Sequence, residues 1–278
     1  KGAEIVSMKG RSEYFNRSFQ ARTNGQYEDL PLVILINQAT ASAPEIVSGA
    51  VKDNDRGLVV GEDSWGKGLV QTVFPLADNA ALALTTAKYF TPSGRSIQRD
   101  FSRFEDYYIF KTEVPEDQRE VKYTTKGRKV LGQGGIEPDY EVKFSFKDLT
   151  GTLLFKGSYF AYARQFKEHN TDLSRTFLMP EEKVPAGGSG KTRLEKGFSV
   201  DERFVEDFRK YLTGQKIEFK PEDFEEASAE IKRELERELY SLLWNIEEGT
   251  RMYRLTDPVV LKAIDVLSDA EKMVAGSK

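Results

Sequence analysis

Apolar positions cluster at strand spacing over the first half of the chain and at helical spacing over the second. Leu32 to Asn37 is a continuous apolar run of strand length, the pattern of a strand covered on both faces, as in a parallel sheet. In the following ATASAPEIVSGAVKDN, Ile46, Val47, Ala50 and Val51 recur at helical spacing. Ser42 stands just before Pro44, and Glu45 falls in the first turn, which are helix-start signals. Leu58 to Gly61 is again apolar, so Leu32 to Gly61 reads strand, helix, strand, the unit of an α/β layer fold with parallel strands. Residues 3 to 8 predict a short strand, followed by a long polar connection with a turn at Asn24-Gly25. Leu69 to Pro75 and Ala80 to Phe90 predict two strands joined through Ala77-Asp78-Asn79 as a hairpin.

Beyond Phe90 the TPSGRS stretch is a loop, and Arg99 to Lys122 is charged and aromatic without a clean period. GGIEPDYEVKF at 134 to 144 returns to a short extended pattern. Helical periodicity takes over from about Asp148, in Leu153 to Lys167, Asp201 to Leu212 and Pro221 to Glu248. The last carries Phe224, Ala227, Ile231, Leu235, Leu239, Leu242 and Leu243 on one stripe, a packing face. The expected organisation is an α/β core over residues 1-147 and a helical C-terminal region over 148-278. PAGGSGKTR at 185 to 193 lacks the first glycine of a phosphate loop, where Pro185 stands, and no apolar strand leads into it, so it reads as a flexible loop.

Composition removes several kinds of chemistry. The 278 residues are 39% hydrophobic and 31% charged, as in an ordinary globular protein, and the formal net charge of -4 supplies no basic field for nucleic acid. No run approaches the roughly 18 apolar residues of a membrane span. Cysteine is absent, which excludes a thiol nucleophile, a disulfide framework and thiolate metal ligation. The single histidine, His169, cannot build a histidine-rich metal site and sits in a polar stretch that suits a surface or structural role. The chain opens at Lys1 without a charged-then-apolar leader, as a fragment or mature form would.

Two residues remain suggestive. A serine hydroxyl needs a positioned base, and without cysteine or a well-placed histidine the bases are carboxylates and lysines. A lysine can take a proton only as the neutral amine, a form favoured by burial against apolar surface. Lys67 lies between Gly66 and Gly68, with Trp65, Leu69 and Val70 nearby, and is expected to be so buried. Ser42 opens a helix whose first turn has unpaired N–H groups, that of Ala43 beside the hydroxyl, suited to an oxyanion. Gln71 could orient the lysine, although along a straight strand the two lie about 13 Å apart, so contact needs a bend at Gly66 to Gly68. The plain alternatives are a helix-capping serine and a solvated turn lysine.

ASAPEI, GLVVGEDSWGKGLVQ, LTTAKYFTPSGRSIQ and GGIEPD, in this order and spacing, resemble the protease core of the C-terminal processing peptidases, or tail-specific proteases. EIVSMKGR near the start and TDPVVLKAIDVL near the end are similar to family patterns as well. The resemblance implies a ClpP/crotonase-like core. It makes Ser42 the nucleophile, Lys67 the general base, Gln71 the residue orienting the lysine and the Ala43 N–H one oxyanion donor. Asp53 matches an acidic position that some members need, or it simply closes a helix end; Glu62 matches a common family residue and is read as structural. The implied substrates are proteins or peptides with apolar, unstructured C-termini, handled without metal or organic cofactor in the bacterial periplasm or cell envelope, with a homo-oligomer left open. Family members carry, upstream of EIVSMKGR, a glycine-rich turn with a second oxyanion donor and usually a PDZ domain. Neither occurs here, so the expectation is a truncated fragment with an incomplete catalytic centre. The competing expectation is a non-catalytic crotonase-like scaffold or peptide-binding module.

Overall fold

The structure is a computed structural model that describes residues 1–99, 115–143, 145–177 and 198–275. The PAGGSGKTR loop and most of the Arg99 to Lys122 stretch lie outside the described residues. The chain packs as two units, Lys1–Phe144 with Leu261–Lys278, and Ser145–Val260.

The first unit is mixed α/β. Strands β3 (Val33–Ile36) and β4 (Leu58–Gly61) pair in parallel, Val33 beside Leu58, with helix α1 (Ala43–Asp53) as the crossover between them. β9 (Tyr140–Glu141) adds a third parallel strand beyond β4. β4 is buried throughout, as its apolar run predicts, whereas Leu35 of β3 is 42% exposed. Covering on both faces therefore holds for the central strand of this sheet and fails for β3, which is its edge. Ile36, Val59, Ile97 and Ile136 form the small core around which the strands, α1 and the 134 to 136 loop meet.

A second, antiparallel sheet has the order β2-β1-β6-β5. β1 (Glu4–Gly10) and β6 (Ala81–Phe90) are central, and β5 (Leu69–Pro75) forms the predicted hairpin with β6. Asp78 and Asn79 both take φ 57° at its turn, the conformation Asn and Asp tolerate best after glycine. β2 (Arg17–Gln20) lies inside the stretch that reads as a long polar connection. All four of its residues are exposed, so no alternation marks it, and it is held by pairing with β1. β7 (Val121–Tyr123) and β8 (Lys129–Leu131) make a separate antiparallel ladder.

The second unit is helical. α2 (Asp148–Phe155) and α3 (Ser158–Lys167) are separated at Gly157, φ 65°, and His169, φ 63°, closes α3 with its N–H donating to the Phe166 carbonyl. α4 (Ser174–Phe177) is short, and α5 (Glu202–Gly214) is capped by Asp201, whose carboxylate accepts from the Arg203 N–H. The long stripe from Pro221 to Glu248 is not one helix. It divides into α6 (Pro221–Glu226), α7 (Ser228–Leu243) and α8 (Ile246–Arg254). Trp244 leaves helical geometry at φ -121°, ψ -81°, and Asn245 restarts the chain by accepting from the Glu248 N–H at 2.9 Å. The stripe nevertheless packs as expected, since Phe224, Ile231, Leu235 and Leu239 join Tyr159, Tyr162, Phe166 and Phe208 in one buried cluster. After α9 (Pro258–Asp265), helix α10 (Leu267–Ala275) belongs to the first unit, where Tyr140 donates its hydroxyl to Asp269 at 3.0 Å.

Candidate active site

The turn from β3 into α1 is wound tightly by its polar side chains. Asn37 accepts from the Ala39 N–H, Thr40 Oγ1 accepts from the Asn37 N–H, and Ser42 follows at φ 64°, ψ -117°. A residue with a Cβ in that region stores backbone strain of roughly 1–3 kcal/mol and persists only where its surroundings over-determine it. The surroundings here are one carboxylate. Glu45, three residues on and fully buried, accepts the Ser42 N–H at 2.7 Å, the reciprocal arm of a capping box. Pro44 in the first turn needs no acceptor for its missing N–H.

The same carboxylate holds the lysine loop. Glu45 Oε1 accepts from the Gly66 N–H at 2.6 Å and from Ser64 Oγ at 2.5 Å, and Oε2 accepts from the Lys67 N–H at 2.9 Å. Oε2 is thus shared between the backbone nitrogens of Ser42 and Lys67, so these two residues, 25 apart in sequence, are joined through one atom. A second tie runs from the Trp65 N–H to the Thr40 carbonyl at 2.8 Å. Four donors converge on one buried carboxylate, which satisfies the ionised group's acceptor capacity. In the sequence Glu45 is marked only as a first-turn acid at capping-box spacing from Ser42; its partners at residues 64 to 67 are long-range contacts that no local pattern encodes.

Lys67 itself departs from expectation. Its side chain is exposed, while Gly66 and Gly68 on either side are buried. Two features account for the difference. Gly66 takes φ 86° immediately before Lys67, and the Trp65 ring is already covered by the Arg99 guanidinium, 3.8 Å from its centroid. The glycines serve close packing: a Cβ on Gly66 would sit 3.1 Å from the Gly135 nitrogen, and one on Gly68 3.0 Å from Ile97. Gly135 in turn, at φ 89°, brings its backbone against Ser64, whose hydroxyl accepts the Ile136 N–H.

Residues 1–103 match the model of peptidase family S41. Among curated relatives, the carboxy-terminal-processing protease of Bartonella bacilliformis is 50% identical over 95 residues, 34% of this chain and 22% of that protein. The carboxyl-terminal-processing protease of Synechocystis sp. is 47% identical over 94 residues, 34% of this chain and 21% of that protein. The chain therefore spans about a fifth of the length of these curated relatives. A solved photosystem II D1 C-terminal processing protease aligns at 30% identity and TM-score 0.36, over 51% of this chain and 28% of that one.

Within the matched residues 1–103 the remaining sequence-predicted residues fall in different places. Ala43 is the first residue of α1, where an N–H has no intrahelical acceptor. Gln71 is exposed on β5, immediately after a register shift between Val70 and Gln71 whose extra residue, Thr86, lies on the partner strand β6. Asp53 stands at the far end of α1, about 16 Å along the helix axis from Ser42. There it is buried and ion-paired with Arg95 at 2.9 Å, and it also accepts from Ser93 Oγ at 2.7 Å. Neighbouring Asp55 takes Arg128 at 2.6 Å, and Arg128 also reaches Asp139 at 2.6 Å, which pairs with the buried Lys52 at 3.1 Å. Burial pulls the Lys52 ammonium below its ordinary value, against the opposing attraction of Asp139. Glu62, which resembled a structural family residue, is half-buried just after β4, its N–H donating to the Ile36 carbonyl at 3.1 Å. Among the described residues no acid and histidine cluster could hold a metal ion, and no helix is long and apolar enough to cross a membrane.

Proposed function

We propose that this chain carries the nucleophile and base of a serine endopeptidase that cleaves proteins near their C-termini, on a core of the ClpP/crotonase type. The observation that carries the reading is the strained Ser42 turn joined to the Lys67 loop through Glu45. A serine at φ 64°, ψ -117° between a strand and a helix has the form of a nucleophile elbow, which raises the hydroxyl clear of its helix for attack. Ser42 Oγ adds to the scissile carbonyl while the Lys67 amine takes its proton. The Ala43 N–H donates to the tetrahedral oxyanion. Lys67 returns the proton to the departing amine, and water then hydrolyses the acyl-serine by the same route. Gln71 orients the lysine, and Asp53 supports the helix from its far end. Bound substrate excludes water from Lys67, the condition under which an amine serves as a base. The chemistry draws on no metal or organic cofactor. Apolar, unstructured tails are the substrates, and the bacterial periplasm or cell envelope is the compartment, both by resemblance to the processing peptidases.

The exposed Lys67 side chain favours the competing reading, a scaffold or peptide-binding module that keeps Ser42 and Lys67 without using them. The two separate on cleavage of an unstructured protein with an apolar tail by the chain and its Ser42→Ala and Lys67→Ala variants, with covalent labelling of Ser42 by a fluorophosphonate alongside. The peptidase reading expects both variants to lose cleavage and labelling. Equal residual activity in all three would rule out the serine and lysine mechanism.

A further inference from the structure

The loop that presents Lys67 is held from two sides, and only one of them is Glu45. On the other side lies Gln98, 6% exposed, whose side-chain Oε1 accepts the Gly68 N–H at 2.7 Å and whose Nε2 donates to the Arg99 carbonyl at 2.9 Å. The flanking backbone completes the grip. The Arg99 N–H donates to the Gly66 carbonyl at 3.1 Å, and the Tyr89 N–H donates to the Gly68 carbonyl at 2.7 Å. All three N–H groups of Gly66-Lys67-Gly68 are therefore taken by two buried side chains, Glu45 for the first two and Gln98 for the third. Glycine has no side chain to lock its own conformation and samples many backbone states. A lysine between two glycines thus depends on its neighbours' hydrogen bonds for a fixed position.

We propose that Gln98 is a positioning residue for Lys67, acting through the Gly68 N–H to hold the lysine where it can reach Ser42. The proposal rests on the serine peptidase reading above. Gln98 touches neither substrate nor reacting atoms; it sets where the base sits. A carboxamide suits the task because one end accepts the Gly68 N–H while the other satisfies its own following carbonyl, leaving no buried polar atom unpaired.

A positioning role and a space-filling role predict opposite orders for two substitutions. Gln98→Met keeps the volume and deletes the acceptor, whereas Gln98→Glu keeps the acceptor and buries an acid. If Gln98 only fills space, Met should outperform Glu in both stability and activity. If it positions Lys67, Glu should retain more activity than Met even where it is the less stable protein. The measurement is steady-state cleavage of an internally quenched, unstructured peptide with an apolar C-terminus, with the rate of fluorophosphonate labelling of Ser42 followed in parallel and thermal unfolding as the control. Loss of alignment by about 1 Å costs roughly 100-fold in rate. Gln98→Met is therefore expected to lower kcat and the labelling rate on the order of 10- to 100-fold, with KM within about twofold and thermal unfolding lowered by a few degrees, because the buried Gly68 N–H loses its acceptor. Activity in Gln98→Met at or above that of Gln98→Glu would overturn the assignment. Ser42→Ala and Lys67→Ala accompany the series: if they leave labelling and cleavage intact, the peptidase reading itself fails. If they abolish both while Gln98→Met matches the unaltered chain, Gln98 alone is misassigned.

Discussion

Replacing Glu45 by glutamine removes one formal charge and leaves the side chain's shape nearly intact, so the consequence falls on hydrogen bonds. The carboxylate accepts four, from the Ser42, Gly66 and Lys67 N–H groups and from Ser64 Oγ. A carboxamide has a single acceptor oxygen, and its NH2 would face donors at the other position. With the NH2 toward Ser42 and Lys67 both bonds are lost; turned the other way, the Gly66 bond is lost and the Ser64 hydroxyl must reverse, exchanging its bond to a charged acceptor for a neutral one. Bonds to a charged acceptor contribute about 1.5–3 kcal/mol each, giving about 3–6 kcal/mol for two before relaxation. Relief from burying a charge offsets part of this, so a net loss of about 3 kcal/mol is expected, a large share of the roughly 5–15 kcal/mol typical of a folded domain. Two tryptophans are present, Trp65 beside the site and Trp244 in the helical unit. Urea unfolding followed by fluorescence in a Trp244→Phe background therefore reports on the unit that contains Glu45. The same samples should label at Ser42 far more slowly with a fluorophosphonate, because the serine's strained turn and the lysine loop lose their common anchor. Stability within about 0.5 kcal/mol of the parent, the range of an ordinary surface substitution, together with an unchanged labelling rate, would refute the claim that this carboxylate holds the site together.

Three further outcomes follow from the same geometry. Gly135→Ala puts a Cβ 2.6 Å from both the carbonyl and hydroxyl oxygens of Ser64, at φ 89°, and should destabilise the first unit by about 1–3 kcal/mol in thermal unfolding; no change would mean the loop shifts freely. Arg95→Met leaves Asp53 buried without its ion pair and should cost about 3–5 kcal/mol, with Asp53→Leu added to it restoring part of the loss, as chemical denaturation of the single and double variants would reveal. For Asp55, burial pushes the carboxyl up, but hydrogen bonds from Arg128, Thr124, Lys126 and Thr125 outweigh it and hold the group below its ordinary range. A folded-state value below the unfolded one gives stability that is present above about pH 4 and lost as pH falls through the lower folded value. The stability gap between the parent and Asp55→Asn should thus be full near neutrality and close in acid, and a gap that widens on acidification would contradict it.

Local signals account for much of the fold. The apolar runs bracketing an amphipathic stretch predicted β3, α1 and β4, and Asp78-Asn79 with its flanking strands predicted the β5–β6 hairpin. The breaks at Gly157 and Trp244 were harder, because an apolar stripe continues across a helix break whenever both pieces face one core. Strand β2 is exposed along its length and exists through pairing alone, a contact no local pattern encodes. The same limit applied at the site. Neighbours in sequence put Lys67 beside Trp65, yet the ring's surface is taken by Arg99, 34 residues away, and the lysine is left exposed. Ser42 stood out through its place at a helix start, but its left-handed backbone follows from Glu45 and the Asn37 to Thr40 turn acting together.

Long-range contacts of this kind also change how Asp53 is understood. At about 16 Å along α1 from Ser42, its carboxylate cannot take part in the chemistry, and as a helix-end acid it gains nothing from the dipole. Its partner Arg95, however, begins the five-residue segment that ends at Arg99. Within that segment the Ile97 carbonyl accepts the Gly135 N–H, Gln98 accepts the Gly68 N–H, and the Arg99 N–H donates to Gly66. One end of the segment is thus tied to the far end of the serine helix and the other to the lysine loop. With both charges fully buried, the Arg95–Asp53 pair has no water to replace a lost partner, so a change at Asp53 is felt along a short strand of fixed hydrogen bonds rather than absorbed by solvent. On the peptidase reading proposed above, an acid this far from Ser42 would bear on the site only by helping to fix where Lys67 stands, with no contact to substrate.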